Sequence, residues 1–376
     1  MVDVSRRGAL TGVLGVVGLG ATGCVGATTP TPSPSATPTP TPTPTPSPSP
    51  TVDARPRWPL TGVLMTDPAA GHRPAVAVKV PDTRVEHPQV GINEADIVFV
   101  QADGYVDSSG RDSTRLMPVY HSSMAKGVGP VRSLRPVDVP LLAPMTAVVG
   151  SSGAAPWVEA YVASNSARIT SDLVYLKMRG TGAYSVNQAR VYKYNGKTEY
   201  DRALVCHPEV LGAKSGSFPN GPQSLYLPFA TGDEKPSTEA GASAVSIGVP
   251  WKGDKYIMGY TWDPKTSRYL RSMPWGPHVL ADGSRVTTEN VLVIRAKVTR
   301  RKLIAGGGEP EPIHEIMNAT GAFHYANGGK IVTGTWAKAG VADPFVLTLS
   351  SGAPLVMAPG RTFVELAPEK AVLTIS

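Results

Sequence analysis

Three arginines could bind an anion at one stiff turn of the chain. Arg132 and Arg135 lie in the stretch GPVRSLRP, and Arg115 lies in the apolar run before it. Guanidinium groups bind carboxylates and phosphates through paired hydrogen bonds. Ser133, between the two arginines of the turn, adds a hydroxyl donor. These residues therefore predict a site for an anionic ligand.

Two glycines just before this turn belong to the same hypothesis. Gly127 and Gly129 carry no Cβ and can adopt φ > 0, and Pro130 stiffens the backbone after them. Backbone N–H groups in such a turn can converge on an anion. We therefore include both glycines in the predicted ligand-binding set.

Nearby acidic and amide residues allow two other interpretations of this predicted ligand-binding set. If the carboxylates of Glu94 and Asp96 neutralise the arginines, there is no anion site. If an acid such as Asp82 or Glu94 stands beside the arginines in a cleft, an enzyme is favoured. The candidate ligand-binding residues are Asp82, Asn93, Asp96, Arg115, Gly127, Gly129, Arg132, Ser133 and Arg135.

Three short motifs of serine acyl enzymes occur in contexts that argue for chance. Ser123 and Lys126 fit S-x-x-K, but Lys126 runs directly into Gly-Val-Gly-Pro, so no helix can hold the pair one turn apart. Ser185 and Asn187 fit S-x-N, and Lys214 begins Lys-Ser-Gly after a helical pattern rather than on an edge strand. We therefore predict no catalytic residue.

The thiol and imidazole groups do not predict a metal or a cofactor. Cys206 and His207 are adjacent within a predicted helix from Glu199 to Leu211, where neighbouring side chains diverge, so Cys206 is predicted to be a buried structural thiol. His314 begins HEIMN, which lacks the second histidine of H-E-x-x-H. Neither a phosphate-binding loop nor a dinucleotide fingerprint is present, so metal and cofactor are both predicted to be none.

The first 23 residues have the layout of an export signal. Arg6 and Arg7 precede a short apolar, Gly-rich run, and the paired arginines indicate the Tat route. Small residues then precede Cys24, as in a bacterial lipobox, which predicts that Cys24 is lipidated and becomes the mature N-terminus. A secretory signal cleaved nearby, without lipidation, is the alternative.

Residues 24–56 are almost entirely Pro, Thr, Ser and Ala, which predicts a disordered, polyproline-like linker. At about 3.1 Å per residue such a segment could reach about 100 Å. That length could carry a domain away from the membrane.

Composition sets limits on the remaining chain. About 320 residues exceed what one hydrophobic core usually serves, so two domains are expected. The formal net charge of the whole chain is +7, and loss of Asp3, Arg6 and Arg7 with the signal leaves +6. This surplus is spread along the chain without a dense basic stripe, so a nucleic-acid partner is not predicted. With Cys24 acylated, Cys206 is the only remaining thiol and no intramolecular disulfide is expected.

The pattern from 57 to 230 predicts an α+β, or α/β, N-terminal domain. Residues 74–80 and 95–100 are nearly continuous apolar runs, typical of strands buried on both faces. Residues 114–120 are a third strand candidate. Helical spacing follows at 137–142 and 154–161.

From 240 to 370 the pattern predicts a mainly antiparallel β domain, a sandwich or a partly closed barrel. Residues 255–262 alternate with a period of two, and short strand-like runs recur between Asp-Gly, Asn-Gly-Gly and Pro-Gly turns. Residues 232–241 are the predicted connection between the two domains.

A series of motifs resembles the YerB-type bacterial lipoproteins, a family of unknown function. In order they are RPAVAVKV, GINEADIVFV, TRLMPVYH, KGVGPVRSLRP, YTWDPKTSRYLRS, ENVLVI, GGKIVTGTWAK and PGRTFVEL, spanning roughly 59–368. The resemblance implies a two-domain, membrane-anchored extracytoplasmic protein and brings no established reaction. This chain has Val100 and Gln101 where relatives tend to carry an acidic pair, and residues 201–220 match poorly.

These observations predict an exported cell-envelope protein, lipid-anchored on the outer face of the bacterial cytoplasmic membrane. A non-catalytic binding or assembly factor is the favoured function. A hydrolase or transferase acting on a cell-wall polymer is the alternative. The predicted partners are the membrane, through the N-terminal anchor, and an anionic cell-wall polymer or another envelope protein.

Overall fold

The structure, a computed structural model, describes residues 55–106, 112–170, 172–252 and 256–376. These residues all belong to the second of two units into which the chain divides, Thr51–Ser376. The predicted signal peptide, Cys24 and the linker up to residue 54 lie outside the described residues. Within the described part, no helix is long and apolar enough to cross a membrane.

The first half of the described chain contains short helices and mostly short strands. The α-helices are α1 (Asp138–Leu142), α2 (Pro156–Ala163) and α3 (Pro208–Ser215), and 3-10 turns lie at Pro68–Gly71, Arg84–Glu86, Gln188–Arg190 and Ser237–Ala240. The strands are β1 (Ala75–Val78), β2 (Val80–Pro81), β3 (Ile97–Val106), β4 (Asp112–Tyr120), β5 (Ala147–Gly150), β6 (Ile169–Thr170), β7 (Tyr184–Val186), β8 (Tyr192–Tyr194), β9 (Lys197–Glu199) and β10 (Leu204–Cys206).

The regular elements of the second half of the described chain are all strands. They are β11 (Ala242–Ser243), β12 (Ser246–Lys252), β13 (Tyr256–Asp263), β14 (Arg268–Met273), β15 (Gly276–Pro277), β16 (Thr287–Thr288), β17 (Asn290–Ala296), β18 (Val298–Arg301), β19 (Glu311–His314), β20 (Ala319–Asn327), β21 (Lys330–Lys338), β22 (Val346–Leu349), β23 (Thr362–Pro368) and β24 (Thr374–Ile375).

One mixed sheet runs through both halves of the described chain. Its order is β11-β21-β20-β17-β23-β3-β4-β1-β5-β6, with β2 beside β4 and β22 beside β21. The halves meet where β23 pairs with β3 in parallel, with Thr362 opposite Ile97 and Glu365 opposite Val100. The regions on either side of the predicted domain boundary therefore share one sheet. The position of that boundary stays a prediction.

The fold class combines a mixed first half with a mainly antiparallel second half. In the first half β3 and β4 are antiparallel, whereas β1 and β5 are parallel. In the second half β12, β13, β14 and their neighbours form a separate six-stranded antiparallel sheet. The pairing of β17 with β23 is parallel. The mainly β character of the second half agrees with its period-two patterns.

The apolar runs that predicted doubly buried strands do form the centre of the mixed sheet. Every residue of β1 is buried, and so is every residue from Ala95 to Val100, where β3 begins. Neighbouring strands cover their edges, and packing covers both faces, so an uninterrupted apolar sequence is stable there. The sequence prediction for residues 74–80 and 95–100 is confirmed at this level.

The predicted helix from Glu199 to Leu211 is wrong. Residues Leu204–Cys206 form β10, which pairs with β7, and α3 begins only at Pro208. Proline at the first helical position lacks the N–H that a longer helix would need there, and Val205 favours the strand. Cys206 is therefore the last residue of a strand, and it is buried as predicted.

Candidate functional site

The segment 126–135, called here the signature segment, lies between Val90 on one side and the end of β10 on the other. Gly129 forms a bridge with Val90, and Val128 forms a bridge with Cys206. Neither Gly127 nor Gly129 adopts φ > 0, contrary to the prediction. A Cβ on Gly129 would lie 2.6 Å from the Leu204 carbonyl oxygen, so close approach of two backbones is what requires glycine there.

Two of the three predicted arginines point into the interior. Arg115 and Arg135 both pair with Asp103, and the Arg135 guanidinium lies 3.1 Å from that carboxylate. Arg115 also donates to the Ser133 carbonyl at 2.7 Å. Burial lowers the pKa of Arg115 to about 10, although Asp103 opposes that shift. Their charges are neutralised inside the fold, so these two arginines do not form a surface anion site.

A second buried pair lies beside the first. Lys79 is fully buried, and its Nζ lies 2.6 Å from the Asp138 carboxylate. Gln101 donates to the same oxygen at 2.8 Å, and the backbone N–H of Arg135 donates to the other oxygen at 2.7 Å. Burial lowers the pKa of Lys79 to about 8 even though Asp138 raises it. This pair and its hydrogen bonds hold the start of α1 against the sheet.

Asp82 lies in a buried polar network that joins the two halves of the chain. Its carboxylate pairs with Arg271 at 2.8 Å, and both side chains are fully buried. His87 lies 3.1 Å from the other Asp82 oxygen. Burial acts to raise the pKa of Asp82, but Arg271 and then His87 outweigh it and hold that pKa well below its ordinary value. Asp82 is therefore an ionised structural partner of Arg271.

Asp82, His87 and His278 have donor atoms close enough to suggest a cation site. The geometry favours a hydrogen-bond network in that space. The Gln89 amide nitrogen lies 3.2 Å from Asp82 and 3.1 Å from His87, while its oxygen accepts from His278 at 2.7 Å. Arg271 donates to the other His278 ring nitrogen at 2.7 Å. Protein donors occupy the positions from which a metal would be held, so these residues do not fit a metal.

The other predicted polar residues have local partners. Asp96 is buried and accepts from the backbone N–H groups of His121 and Ser122, each at 2.7 Å. Asn93 donates to the Arg285 carbonyl at 2.8 Å. Asn93 also lines a cavity of about 450 Å³ formed by residues from the segments 90–94, 124–127 and 280–284. None of the three arginines lines this cavity.

Arg132 is the predicted arginine that reaches solvent. Its side chain is 28% exposed and pairs with Glu86 and, at 2.9 Å, with Asp201. Beside it, Arg190 donates to the carbonyls of Glu86 and Pro88 at 2.7 and 2.8 Å. Arg132 therefore reaches solvent, although two carboxylates pair with its guanidinium.

The hairpin β8–β9 carries an aromatic residue, Tyr192, close to both Arg132 and Arg202. The Arg202 guanidinium lies 4.2 Å from the centre of the Tyr192 ring. Tyr192 and Lys197 lie on one face of the hairpin, because Tyr192 pairs with Glu199 and Tyr194 pairs with Lys197. We call Arg132, Arg190, Tyr192, Lys197 and Arg202 the basic surface.

Charge on the basic surface is incompletely neutralised. Among the described residues, Arg190, Lys197 and Arg202 have no carboxylate oxygen within 4.0 Å. Burial lowers the pKa of Arg190, and the positive charge of Arg202 lowers it further, although Glu86 opposes both. The two arginines are therefore close enough to repel each other, and an added anion would relieve that repulsion.

Comparison with known proteins places this architecture in a family. Residues 60–206 match the family described as "Protein of unknown function (DUF3048) N-terminal domain", and residues 247–364 match its C-terminal domain. The chain belongs to the DUF3048 family. Both family descriptions leave the function open.

One relative and one solved structure resemble this DUF3048 chain over most of its length. It is 24% identical over 322 aligned residues to the Bacillus subtilis (strain 168) protein named "Putative lipoprotein YerB". The alignment covers 85% of this chain and 88% of that protein. The crystal structure of the YerB protein from Bacillus subtilis matches with a TM-score of 0.65 at 20% identity, over 85% of this chain and all of that one. These matches confirm the resemblance to YerB-type proteins that the motifs predicted. The structural likeness shows the fold.

Several residues that define this site in the DUF3048 chain were missed by sequence reasoning. Asp103, Glu86 and Asp201 neutralise the predicted arginines instead of Glu94 and Asp96. Lys79 was detectable in principle, because it is the one charged residue in the apolar run AVAVKV. Arg190 and Arg202 carry no local signal, since only the folded chain brings them to Arg132.

Proposed function

We propose that this protein is an exported, lipid-anchored cell-envelope protein that binds an anionic polymer of the cell wall through the basic surface. The observation that carries the proposal is that three basic groups have no carboxylate within 4.0 Å among the described residues. They are Arg190 and Arg202, near the partly exposed Arg132, and Lys197, on the hairpin face that carries Tyr192. Phosphate groups of a polymer would supply the missing charges.

The aromatic ring of Tyr192 supports a polymer over a free ion. Its ring centre lies 4.2 Å from the Arg202 guanidinium, close enough for a cation–π contact. Tyr194, on the same face of the hairpin, is 64% exposed. An exposed aromatic face beside basic groups can pack on the sugar or glycerol units that separate phosphates.

The anchor is supported by the export motif and by the name of the Bacillus subtilis relative. A lipid on Cys24 would hold the chain at the outer face of the cytoplasmic membrane, and residues 24–56 would let it reach into the wall. We expect metabolic lipid labelling of the wild type and of Cys24→Ala to differ completely. Cys206→Ala is the matched control, since Cys206 is buried and should leave the label unchanged. Equal labelling of wild type and Cys24→Ala would refute the anchor.

The binding site is tested by removing two of its unpaired charges. We expect Lys197→Gln/Arg202→Gln to bind a purified glycerol-phosphate wall polymer about 30-fold more weakly than wild type, since each basic group near an anionic surface contributes about 1 kcal/mol. Isothermal titration or co-sedimentation measures the loss.

Matched controls keep this test specific. Lys214→Gln/Lys265→Gln removes the same net charge from exposed positions elsewhere and should bind as wild type does. Thermal unfolding of each variant checks that the fold is intact. Equal weakening by both double variants would indicate a general charge effect and refute the basic surface as the site.

A further inference from the structure

A serine and a histidine lie in hydrogen-bond contact on the exposed side of the signature segment. Ser185 on β7 is exposed, and its Oγ lies 2.9 Å from His207 Nε2. The other ring nitrogen, Nδ1, lies 2.6 Å from the Lys126 carbonyl oxygen. Three separate segments therefore meet at this pair, although nothing in their sequence spacing brings them together.

The two hydrogen bonds fix which nitrogen of His207 carries the proton. A carbonyl oxygen only accepts, so Nδ1 must donate to Lys126 and carries the hydrogen of the neutral ring. When the ring carries this one proton, Nε2 has a free lone pair and the Ser185 hydroxyl is the donor in the second bond. This is the arrangement in which a histidine takes the proton of an attacking serine, while a third group holds the ring in place.

Backbone groups near the pair could stabilise a developing negative charge. Helix α3 begins directly after His207, and no side chain caps it. Its first-turn N–H groups, at Glu209 and Val210, have no partner within the helix. A Cβ on Gly182, just before β7, would lie 3.9 Å from Val210, so the helix start packs beside the strand that carries Ser185.

We propose that Ser185 is a nucleophile activated by His207 and that it accepts acyl groups from carboxylic esters. The Ser185 oxygen attacks the ester carbonyl carbon as its proton passes to His207 Nε2. The new carbon–oxygen bond is retained when the ester oxygen leaves and takes that proton. Water then attacks the acyl carbon as its proton passes to His207 Nε2. The Ser185 oxygen leaves and takes that proton, which releases the acid and restores Ser185.

The group that orients His207 determines the class of substrate. A backbone carbonyl is neutral, so it stabilises the imidazolium ion less than the carboxylate of an ordinary triad would. An amide, whose leaving group needs strong acid catalysis, is therefore disfavoured relative to an ester. This inference does not depend on the basic surface, because neither Ser185 nor His207 belongs to it.

A fluorophosphonate probe tests the nucleophile directly. Its phosphorus bonds to the serine oxygen, fluoride leaves, and His207 takes the proton. Using the purified full-length chain, we expect peptide mass spectrometry to find the label on Ser185. We expect Ser185→Ala to lose the label and His207→Gln to be labelled at least tenfold more slowly. Ser350→Ala, which removes an exposed hydroxyl elsewhere, should be labelled as wild type is.

Hydrolysis of 4-nitrophenyl acetate supplies a second readout. We expect release of 4-nitrophenol by the wild type to exceed that by Ser185→Ala by at least tenfold. Wild-type protein that is not labelled at Ser185, or equal hydrolysis by wild type and Ser185→Ala, would overturn the proposal. Should His207→Gln unfold, Ser185→Ala still decides, because its side chain is exposed and its loss leaves the strand pairing intact.

Discussion

At the scale of single residues, the two arginines of the signature segment, Arg132 and Arg135, have different environments. Arg135 is buried and lies against both Asp103 and Glu311, at 3.1 and 3.4 Å. Removing it takes away one of the two guanidinium groups that pair with the buried Asp103 carboxylate, and also the Arg135 partner of Glu311. We expect Arg135→Ala to lower the free energy of unfolding by about 3–5 kcal/mol. Urea unfolding measures the loss, and Lys265→Ala, an exposed control, should change it by less than about 0.5 kcal/mol. Similar effects of the two variants would contradict a buried role for Arg135.

Lys79 makes stability depend on pH in a defined direction. Its pKa is about 8 when folded, against an ordinary value of 10.5, because burial disfavours its charge. Between these values the unfolded chain binds more protons, so stability rises with pH. We expect wild type to gain about 2 kcal/mol between pH 8 and pH 10 relative to Lys79→Met/Asp138→Asn, which lacks the titrating group. Urea unfolding at several pH values measures this, and parallel curves for the two proteins would refute it.

At the scale of elements, β10 and the signature segment depend on glycine for their close approach. A Cβ on Gly129 would meet backbone, the Leu204 oxygen at 2.6 Å, whereas one on Gly127 would meet a Val205 methyl group at 3.0 Å. We expect Gly129→Ala to destabilise the fold by about 1–3 kcal/mol and Gly127→Ala to cost less, because a methyl group can move. Thermal unfolding compares the two variants. A larger cost at Gly127 would contradict this packing.

The elements also show how far sequence patterns reach. The doubly buried strands near residues 74–80 and 95–100 were predictable, since continuous apolar runs have few other solutions. The error at Glu199–Leu211 arose because the β10 pairing with β7 is a tertiary contact, which local spacing does not encode. The same limit hid Asp103 as the partner of Arg115 and Arg135, and hid the contact of Ser185 with His207.

At the scale of the whole molecule, pairing between distant strands decides the architecture. The contact of β23 with β3 joins residues more than 260 positions apart, and Asp82 with Arg271 joins the same two halves. The motifs predicted the family and both of its regions, but no local signal specifies which strand edges meet. The position of the basic surface follows from that assembly, since Arg132 and the β8–β9 hairpin are distant in sequence.

The salt dependence of polymer binding shows whether the basic surface contacts phosphate groups. If the basic surface contacts phosphates, the affinity of wild type for a glycerol-phosphate polymer should fall as salt rises, because bound counterions are released. Lys197→Gln/Arg202→Gln should give a shallower slope in a plot of log affinity against log salt concentration, by about one to two ion contacts. The Lys214→Gln/Lys265→Gln control should keep the wild-type slope. Identical slopes for wild type and Lys197→Gln/Arg202→Gln would contradict the account.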